Sequence, residues 1–316
     1  MSAAPERVAD ALPVMPSLVG PMSRLLPHEI VFGLFLVITT VRLLVAVGPA
    51  HEETLVYIGA VLVNGLAIWA RMRWPEAWAW RLQFAFYIIA LNGLFLHMRW
   101  AIPLIHPGKY DDLLWDWDQV LFGDSPALWL GPFITPALTE LMSFAYAAFI
   151  PCLLLTLVQY AKGELRTARA FYGGLFTLYG VGYLGYTLLP AVGPYIAMAD
   201  QFPEPLQGYW ITDLLTALYP MGTNRCDAFP SLHVAASAYI LAFDFKHRPR
   251  WFRRYLVPCM LLWLSTVYLR YHYGVDVVSG FVLAALGLWV AIEVWRRDDV
   301  IGVAAGQRGV ASARRL

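Results

Sequence analysis

The chain of 316 residues is 59% hydrophobic and only 14% charged. This balance excludes an ordinary soluble domain and indicates a polytopic membrane protein. The net charge of +1 points to no particular class of partner. Two of the three cysteines lie in apolar runs, so the cysteines fit neither a disulfide framework nor a zinc site.

The chain begins with a proline-rich segment and continues with apolar runs. Residues 1–27 contain no apolar core, so we predict a flexible tail rather than a cleavable signal peptide. The later runs long enough to cross the ~30 Å hydrocarbon core of a bilayer lie at 29–47, 54–70, 82–98, 133–160, 170–189, 232–245, 255–271 and 275–295. We therefore predict an all-α transmembrane bundle of about eight spans, with seven as the alternative because the sixth run is short. One domain at 28–298 and a second tail at 299–316 complete the predicted organisation.

The basic residues test this arrangement. If eight helices alternate in direction, most of the 23 Lys and Arg fall on one side of the membrane. The opposite side receives only Arg99, Lys109, Arg225 and Arg270. Because basic residues accumulate on the cytoplasmic side, both termini are predicted to be cytoplasmic. Two long loops, at 99–132 and 190–231, are then predicted to lie on the other face.

The first long loop contains an acidic amphipathic segment, YDDLLWDWDQVLFGDSP. Its apolar residues recur at helical spacing with aspartates between them, which predicts a helix lying in the membrane interface. The simpler interpretation of each aspartate is that it belongs to a solvated face. The alternative is that Asp116 or Asp118 binds a polyol headgroup, and Asp116 is the candidate retained for this role.

A histidine and an aspartate lie between the seventh and eighth runs, in STVYLRYHYGVD. His272 and Asp276 are four residues apart, and on a helix this spacing places both side chains on one face. A carboxylate that accepts from one imidazole nitrogen fixes the tautomer and leaves the other nitrogen as a nucleophile or base. An exposed ion pair is the commoner explanation of such spacing, but ionisable groups at a membrane boundary favour a functional role.

The stretch NRCDAFPSLH supplies complementary groups before the sixth run. Pro230 suits the first turn of a helix, Ser231 can cap it, and the free N–H groups of that turn form an anion site. His233 then lies where a protonated imidazole reaches a bound anion, or else it bonds a carbonyl at an ordinary helix start. Two histidines, an aspartate, arginines and a helix N-terminus on one membrane face suit phosphoryl transfer.

These motifs resemble the second and third signature motifs of the type 2 phosphatidic acid phosphatase (PAP2) superfamily, and most closely those of its inositol phosphorylceramide synthase branch. The resemblance covers residues 175–290. It implies that His272 attacks phosphorus, that Asp276 orients His272 and that His233 protonates the leaving group. It also implies a reaction without cofactor or metal, in agreement with the lack of a carboxylate cage or a Cys/His cluster in the sequence.

The sequence departs from the superfamily in the groups that hold phosphate. The first motif, a Lys followed by Arg-Pro, is replaced by YTLLPAVGPY, with Tyr186 in place of the Lys and a glycine in place of the Arg. Arg270 is the first replacement for the lost charges and Arg225 the second. Because residues two apart do not share a helical face, we expect either that the backbone leaves the helix near Tyr271 or that Arg270 reaches around from the adjacent loop. The other candidates for phosphate or substrate binding are Ser231, Tyr195, Tyr186 and Asp116.

The leading hypothesis is an integral-membrane lipid phosphotransferase. It would move a phosphorylated alcohol, with phosphoinositol the first headgroup to test, from a phospholipid to an acceptor hydroxyl through a phosphohistidine. With water as acceptor, the same site would act as a lipid or polyprenyl phosphate phosphatase, and a non-enzymatic transporter with a proton relay is the alternative from another class.

The predicted partners are the bilayer, the phospholipid donor and a lipid or polyol acceptor, with no nucleic acid. The predicted location is a bacterial plasma membrane, with the site on the non-cytoplasmic face.

Overall fold

A computed structural model describes residues 25–313 of the chain except 75 and 204, and the side chains as far as 298. The described residues form α-helices and short 3-10 turns, with no strand among them. The α-helices are α1 (Pro27–Val47), α2 (Glu52–Arg73), α3 (Ala77–Ile105), α4 (Asp111–Phe122), α5 (Pro126–Trp129), α6 (Pro136–Ala147), α7 (Phe149–Lys162), α8 (Leu165–Leu188), α9 (Pro194–Ala197), α10 (Trp210–Gly222), α11 (Leu232–His247), α12 (Pro249–Tyr268) and α13 (Gly274–Ala313). The predicted all-α bundle is confirmed. The predicted N-terminal tail lies almost entirely outside the described residues, and the backbone of α13 stays helical through most of the predicted C-terminal tail.

Five helical segments of the described chain are long and apolar enough to cross a membrane: α1, α2, α3, α6 together with α7, and α13 up to Asp298. The chain is therefore a multi-pass membrane protein. The other three predicted spans coincide with α8, α11 and α12, which are helical but do not reach this standard. The physical reasons differ: α11 has only 16 residues, α12 carries arginines near its start, and α8 is rich in Gly, Tyr and Thr, which lower its hydropathy.

Helix α8 is the centre of the bundle. It packs against α1, α3, α7, α11 and α13. At its crossing with α13, a Cβ added to Gly174 would lie 2.4 Å from the carbonyl oxygen of Gly287. Small residues at such crossings let the two backbones approach closely, which is how membrane helices commonly pack. Helix α11 lies against α8, α12 and α13, so the first turns of α11 and α13 come together at one end of the bundle.

A break between α6 and α7 shapes the space beside these two turns. Helix α6 ends at Ala147 and α7 begins at Phe149. Pro151 lacks the N–H group that would continue the hydrogen-bond ladder to Ala147, which accounts for the break. Tyr146 and Phe149, on either side of it, have ring centroids 4.7 and 4.9 Å from that of His233.

The segments 106–135 and 189–231 meet at the same end of the bundle, which we call the loop end. Their backbones are joined where the N–H of Tyr110 donates to the carbonyl of Pro190 at 2.9 Å. Nζ of Lys109 also donates to the carbonyl of Arg225 at 2.6 Å. The loop end therefore covers the starts of α11 and α13.

Candidate active site

His272 lies in a tight turn between α12 and α13. Helix α12 ends at Tyr268, and Arg270 adopts a left-handed φ of 64°. The N–H groups of Tyr271 and His272 both donate to the carbonyl of Thr266 at 3.0 Å, which closes the turn. The helix break that the sequence predicts near Tyr271 is thus confirmed.

The ring of His272 is held by two acceptors on its Nδ1 side. Nδ1 lies 2.9 Å from the carbonyl oxygen of Ala228 and 3.3 Å from Oδ2 of Asp276. A carbonyl oxygen can only accept a hydrogen bond, so Nδ1 carries the hydrogen and Nε2 keeps its lone pair. The side chain of His272 is 3% exposed, which excludes the solvated ion pair considered from the sequence.

Asp276 lies in the first turn of α13 and reaches back toward the preceding turn. Its Oδ2 also accepts from the N–H of Tyr273 at 2.9 Å, so one oxygen serves both the helix start and His272. The pair predicted from the spacing therefore forms, but not on one helical face as expected, because α13 begins only at Gly274. Oδ1 of Asp276 is buried without a hydrogen-bond partner among the described residues.

His233 lies in the first turn of α11, as its sequence predicts. Ser231 caps this helix, and its Oγ accepts from the N–H of Val234 at 3.4 Å. Pro230 lies one residue before the cap instead of in the first turn. The rings of His233 and His272 have centroids 5.7 Å apart and an interplanar angle of 64°. The fold therefore brings the two candidate histidines to one place.

Asp118 of α4 caps the helix that carries Asp276. Its oxygens accept from the N–H groups of Gly274 and Val275 at 2.9 and 2.8 Å. Both the unpaired N–H groups and the dipole of a helix N-terminus favour a carboxylate there. The predicted helix of the first long loop is confirmed, but Asp118 is buried instead of lying on a solvated face. Burial raises the pKa of its carboxyl, and the two N–H bonds oppose that shift.

Asp111, two turns earlier on the same face of α4, holds the loop that follows α8. It accepts from the N–H of Gly193 at 2.9 Å and from the hydroxyl of Tyr273 at 2.9 Å. Gly193 has a φ of 91°, and a Cβ there would lie 2.3 Å from the carbonyl oxygen of Tyr271. The glycine that replaces the arginine of the first motif is thus required by a close backbone contact. Sequence reasoning considered Asp118 only as a solvated residue or a headgroup ligand and gave Asp111 no role, although their seven-residue spacing places them on one helical face.

The other sequence candidates are distributed over the site and its rim. Arg270 is buried, with its guanidinium 4.3 Å from the ring centroid of Phe202. Its carbonyl accepts from the N–H of Tyr195 at 2.6 Å. Tyr186 is buried in the wall of a cavity beside His233. The exposed candidates are Arg225, Tyr195 and Asp116.

The cavity beside His233 has a volume of about 370 Å³, within the roughly 300–1,000 Å³ of typical ligand sites. Its walls come from α3, the α6–α7 junction, α8 and α10, and they are mostly aliphatic and aromatic. A carboxyl group, that of Asp227, lines it together with the imidazole of His233. Sequence reasoning missed Asp227 as well, because nothing in its local spacing indicates that it lines a cavity.

Potential metal ligands do not gather in this site. Within the described residues, no group of three or more His, Cys, Asp or Glu is arranged to hold a metal ion. Asp111 and Asp118 instead accept backbone N–H bonds.

Comparison with known proteins agrees with this arrangement. Residues 112–290 match the PAP2 superfamily, and this match includes α4 from its second residue, both histidines and Asp276. The chain therefore belongs to the PAP2 superfamily.

A more specific similarity is to phosphoinositol dihydroceramide synthase from Bacteroides thetaiotaomicron, which is 27% identical over 163 residues. The match covers 47% of this chain and 53% of that protein, so it spans only about half the length of the relative. No solved structure matches the chain significantly. The resemblance to the inositol phosphorylceramide synthase branch, drawn from the motifs, is confirmed.

Proposed function

We propose that the protein is a membrane lipid phosphotransferase, which moves a phosphorylated alcohol from a phospholipid to an acceptor hydroxyl. The observation that carries this proposal is the ring of His272. The carbonyl of Ala228 and the carboxylate of Asp276 hold its Nδ1, so Nε2 is available as a nucleophile with the ring of His233 beside it. The helical membrane bundle and the apolar cavity support a lipid substrate.

In the first half-reaction, Nε2 of His272 attacks phosphorus. A bond between phosphorus and nitrogen forms as the bond from phosphorus to the lipid oxygen breaks, and His233 gives its proton to the departing alkoxide. The negative charge of the phosphate favours the protonated form of this imidazole. Asp276 stabilises the positive charge that develops on His272.

In the second half-reaction, the hydroxyl of the acceptor gives its proton to His233 while its oxygen attacks phosphorus. The bond between phosphorus and His272 breaks, and both histidines return to their starting forms. One residue therefore acts first as the acid and then as the base. With water as the acceptor, the same steps release the phosphorylated alcohol, so hydrolysis is the competing reaction of this site.

Several groups at the loop end are proposed to bind the phosphate and its alcohol. The first-turn N–H groups of α11, after its cap Ser231, favour an anion, and Arg270 is a buried guanidinium two residues before His272. Tyr186 would contact the lipid in the cavity. The candidates for the exposed headgroup contacts are Arg225, Tyr195 and Asp116.

The name of the bacterial relative indicates which substrates to test first: a phosphoinositol lipid as donor and a dihydroceramide as acceptor. Purified protein given a headgroup-labelled donor should form the labelled acceptor and diglyceride in equal amounts. EDTA should leave the rate unchanged, because the buried carboxylates of α4 bind backbone N–H groups. Labelled inositol phosphate as the sole labelled product would indicate a hydrolase that uses water as the acceptor. Failure to release or exchange the headgroup would favour a transporter, and a strict need for Mg²⁺ would contradict a metal-free reaction.

The distribution of basic residues supports cytoplasmic termini and a loop end on the opposite face. Gly108, Gln207 and Arg250 are all exposed. Cysteines at Gly108 and Gln207 should therefore react with an impermeant maleimide added to intact cells, and a cysteine at Arg250 should react only after permeabilisation. Labelling of Arg250→Cys from outside would show that the orientation is reversed. The site would then face the cytoplasm.

A further inference from the structure

The cavity beside His233 has the form of a site for a lipid chain. On α8 its wall extends from Leu175 to Tyr186, a rise of about 16 Å at the pitch of an α-helix. This is close to the depth of one leaflet of a ~30 Å hydrocarbon core. Since His233 and Asp227 both line the cavity, the polar end of a bound lipid would lie against them.

Of the two histidines, only His233 lines this cavity. In an in-line transfer, the attacking and leaving groups lie on opposite sides of phosphorus. If His272 attacks, the cavity lies on the side of the leaving alcohol and of the alcohol that replaces it. The diglyceride that leaves and the acceptor that replaces it then occupy the cavity in turn. The acceptor must therefore be selected in the cavity.

Asp227 is well placed to make that selection. Its Oδ1 accepts from the hydroxyl of Thr223 at 2.6 Å, and its backbone pairs with Ala191 in an isolated bridge. Burial raises the pKa of the Asp227 carboxyl, and the bond from Thr223 and the nearby His272 oppose that shift. Backbone N–H groups of Asn224 and of Asp227 itself also bond to this carboxyl, but a carboxylate has about four acceptor sites, so Asp227 can accept a further hydrogen bond from a ligand in the cavity.

We infer that Asp227 selects the acceptor lipid by accepting a hydrogen bond from the polar group next to the reacting hydroxyl, and that it favours an N-acylated amino alcohol over a diglyceride. This inference rests on the proposed transferase function. An amide N–H donates to a carboxylate, whereas the ester oxygens of a diglyceride can only accept. A carboxylate oxygen that a bound lipid encloses but meets only with acceptors is unfavourable. The diglyceride formed in the first half-reaction is therefore the weaker ligand, which favours its exchange for the acceptor.

The test compares two acceptors that have the same chain length and reacting hydroxyl but carry an amide or an ester at the neighbouring position. Wild-type protein should prefer the amide by about ten- to a hundredfold in kcat/KM, the effect of one hydrogen bond to a charged group. Asp227→Ala should lose most of this preference, and Asp227→Asn, which keeps a carbonyl acceptor, should retain part of it. Asp213→Asn, at an exposed position on α10, is the matched control and should show the wild-type ratio.

Binding of the two acceptors can also be measured without the transfer reaction. In a His272→Ala background, the amide acceptor should raise the Tm more than the ester acceptor does, and Asp227→Ala should remove the difference. An unchanged amide preference in folded Asp227→Ala would overturn this inference and leave the proposed function intact. If wild-type protein transfers the headgroup to neither acceptor, the proposed function is wrong, and the binding measurement still decides the role of Asp227.

Discussion

Replacement of His272 by alanine should abolish both release and exchange of the headgroup, because the bond between phosphorus and nitrogen can no longer form. His233→Ala should also be nearly inactive with a natural phospholipid, whose alkoxide needs a proton in order to leave. This variant should recover in part with a p-nitrophenyl phosphodiester, since p-nitrophenolate leaves without a proton. Asp276→Asn should fold but lose about 10²–10⁴ in turnover, because its neutral amide no longer stabilises the positive charge that develops on His272, although the carbonyl of Ala228 still holds Nδ1.

The measurement is the trapping of labelled phosphohistidine from a headgroup-labelled donor. With the p-nitrophenyl donor, His233→Ala should accumulate the labelled intermediate, and His272→Ala should give none. His106→Ala, at a loop-end histidine outside the site, is the control and should behave as wild type. Labelled phosphohistidine in His272→Ala, together with none in His233→Ala, would show that His233 is the nucleophile and His272 the acid.

Asp118→Ala should lower both stability and turnover, because it removes the carboxylate that caps α13. The loss of a cap and of hydrogen bonds to two buried N–H groups should cost about 2–4 kcal/mol in the free energy of unfolding. Turnover should fall by about ten- to a hundredfold, since Asp276 lies in the turn that loses its cap and small misplacements of catalytic groups are costly. Asp118→Asn should lose less stability, because its carbonyl can still accept from one N–H group.

Thermal unfolding in detergent and turnover at saturating donor measure these two effects. Asp112→Ala is the matched control, because this aspartate is exposed on the same helix. It should change neither quantity. Full turnover in Asp118→Ala would show that the start of α13 does not depend on its cap.

Most helices of this protein follow from local patterns, although α5, α9 and α10 lie within the two segments that the sequence predicts as long loops. The apolar runs coincide with α1, α2, α3, α6 with α7, α8, α11, α12 and α13, and the acidic segment of the first long loop forms α4. Side chains three and four residues apart decide such patterns, so they can be read in sequence. The pattern did not determine which face of α4 is covered. Asp111 and Asp118 are buried, while Val120 on the predicted apolar side is 83% exposed.

The candidate residues themselves are also evident in the sequence. His233 follows a proline and a capping serine, and His272 lies four residues before Asp276, so each belongs to a short motif. Their spacing predicts the chemistry of an oriented histidine. It does not predict that the pair spans a turn and a helix start instead of one helical face.

Only the tertiary structure determined how these residues are held and what they adjoin. The carbonyl that accepts from Nδ1 of His272 belongs to a residue 44 positions away, and Asp118 caps a helix start 156 positions later. The cavity that joins Asp227 to His233 is formed by helices from separate parts of the chain. Such contacts depend on how helices pack and on which polar groups become buried together, because each buried donor or acceptor requires a partner. Local spacing contains no information about that partner. The sequence by itself therefore determined most of the helices and the reactive groups, while packing determined their orientation and surroundings.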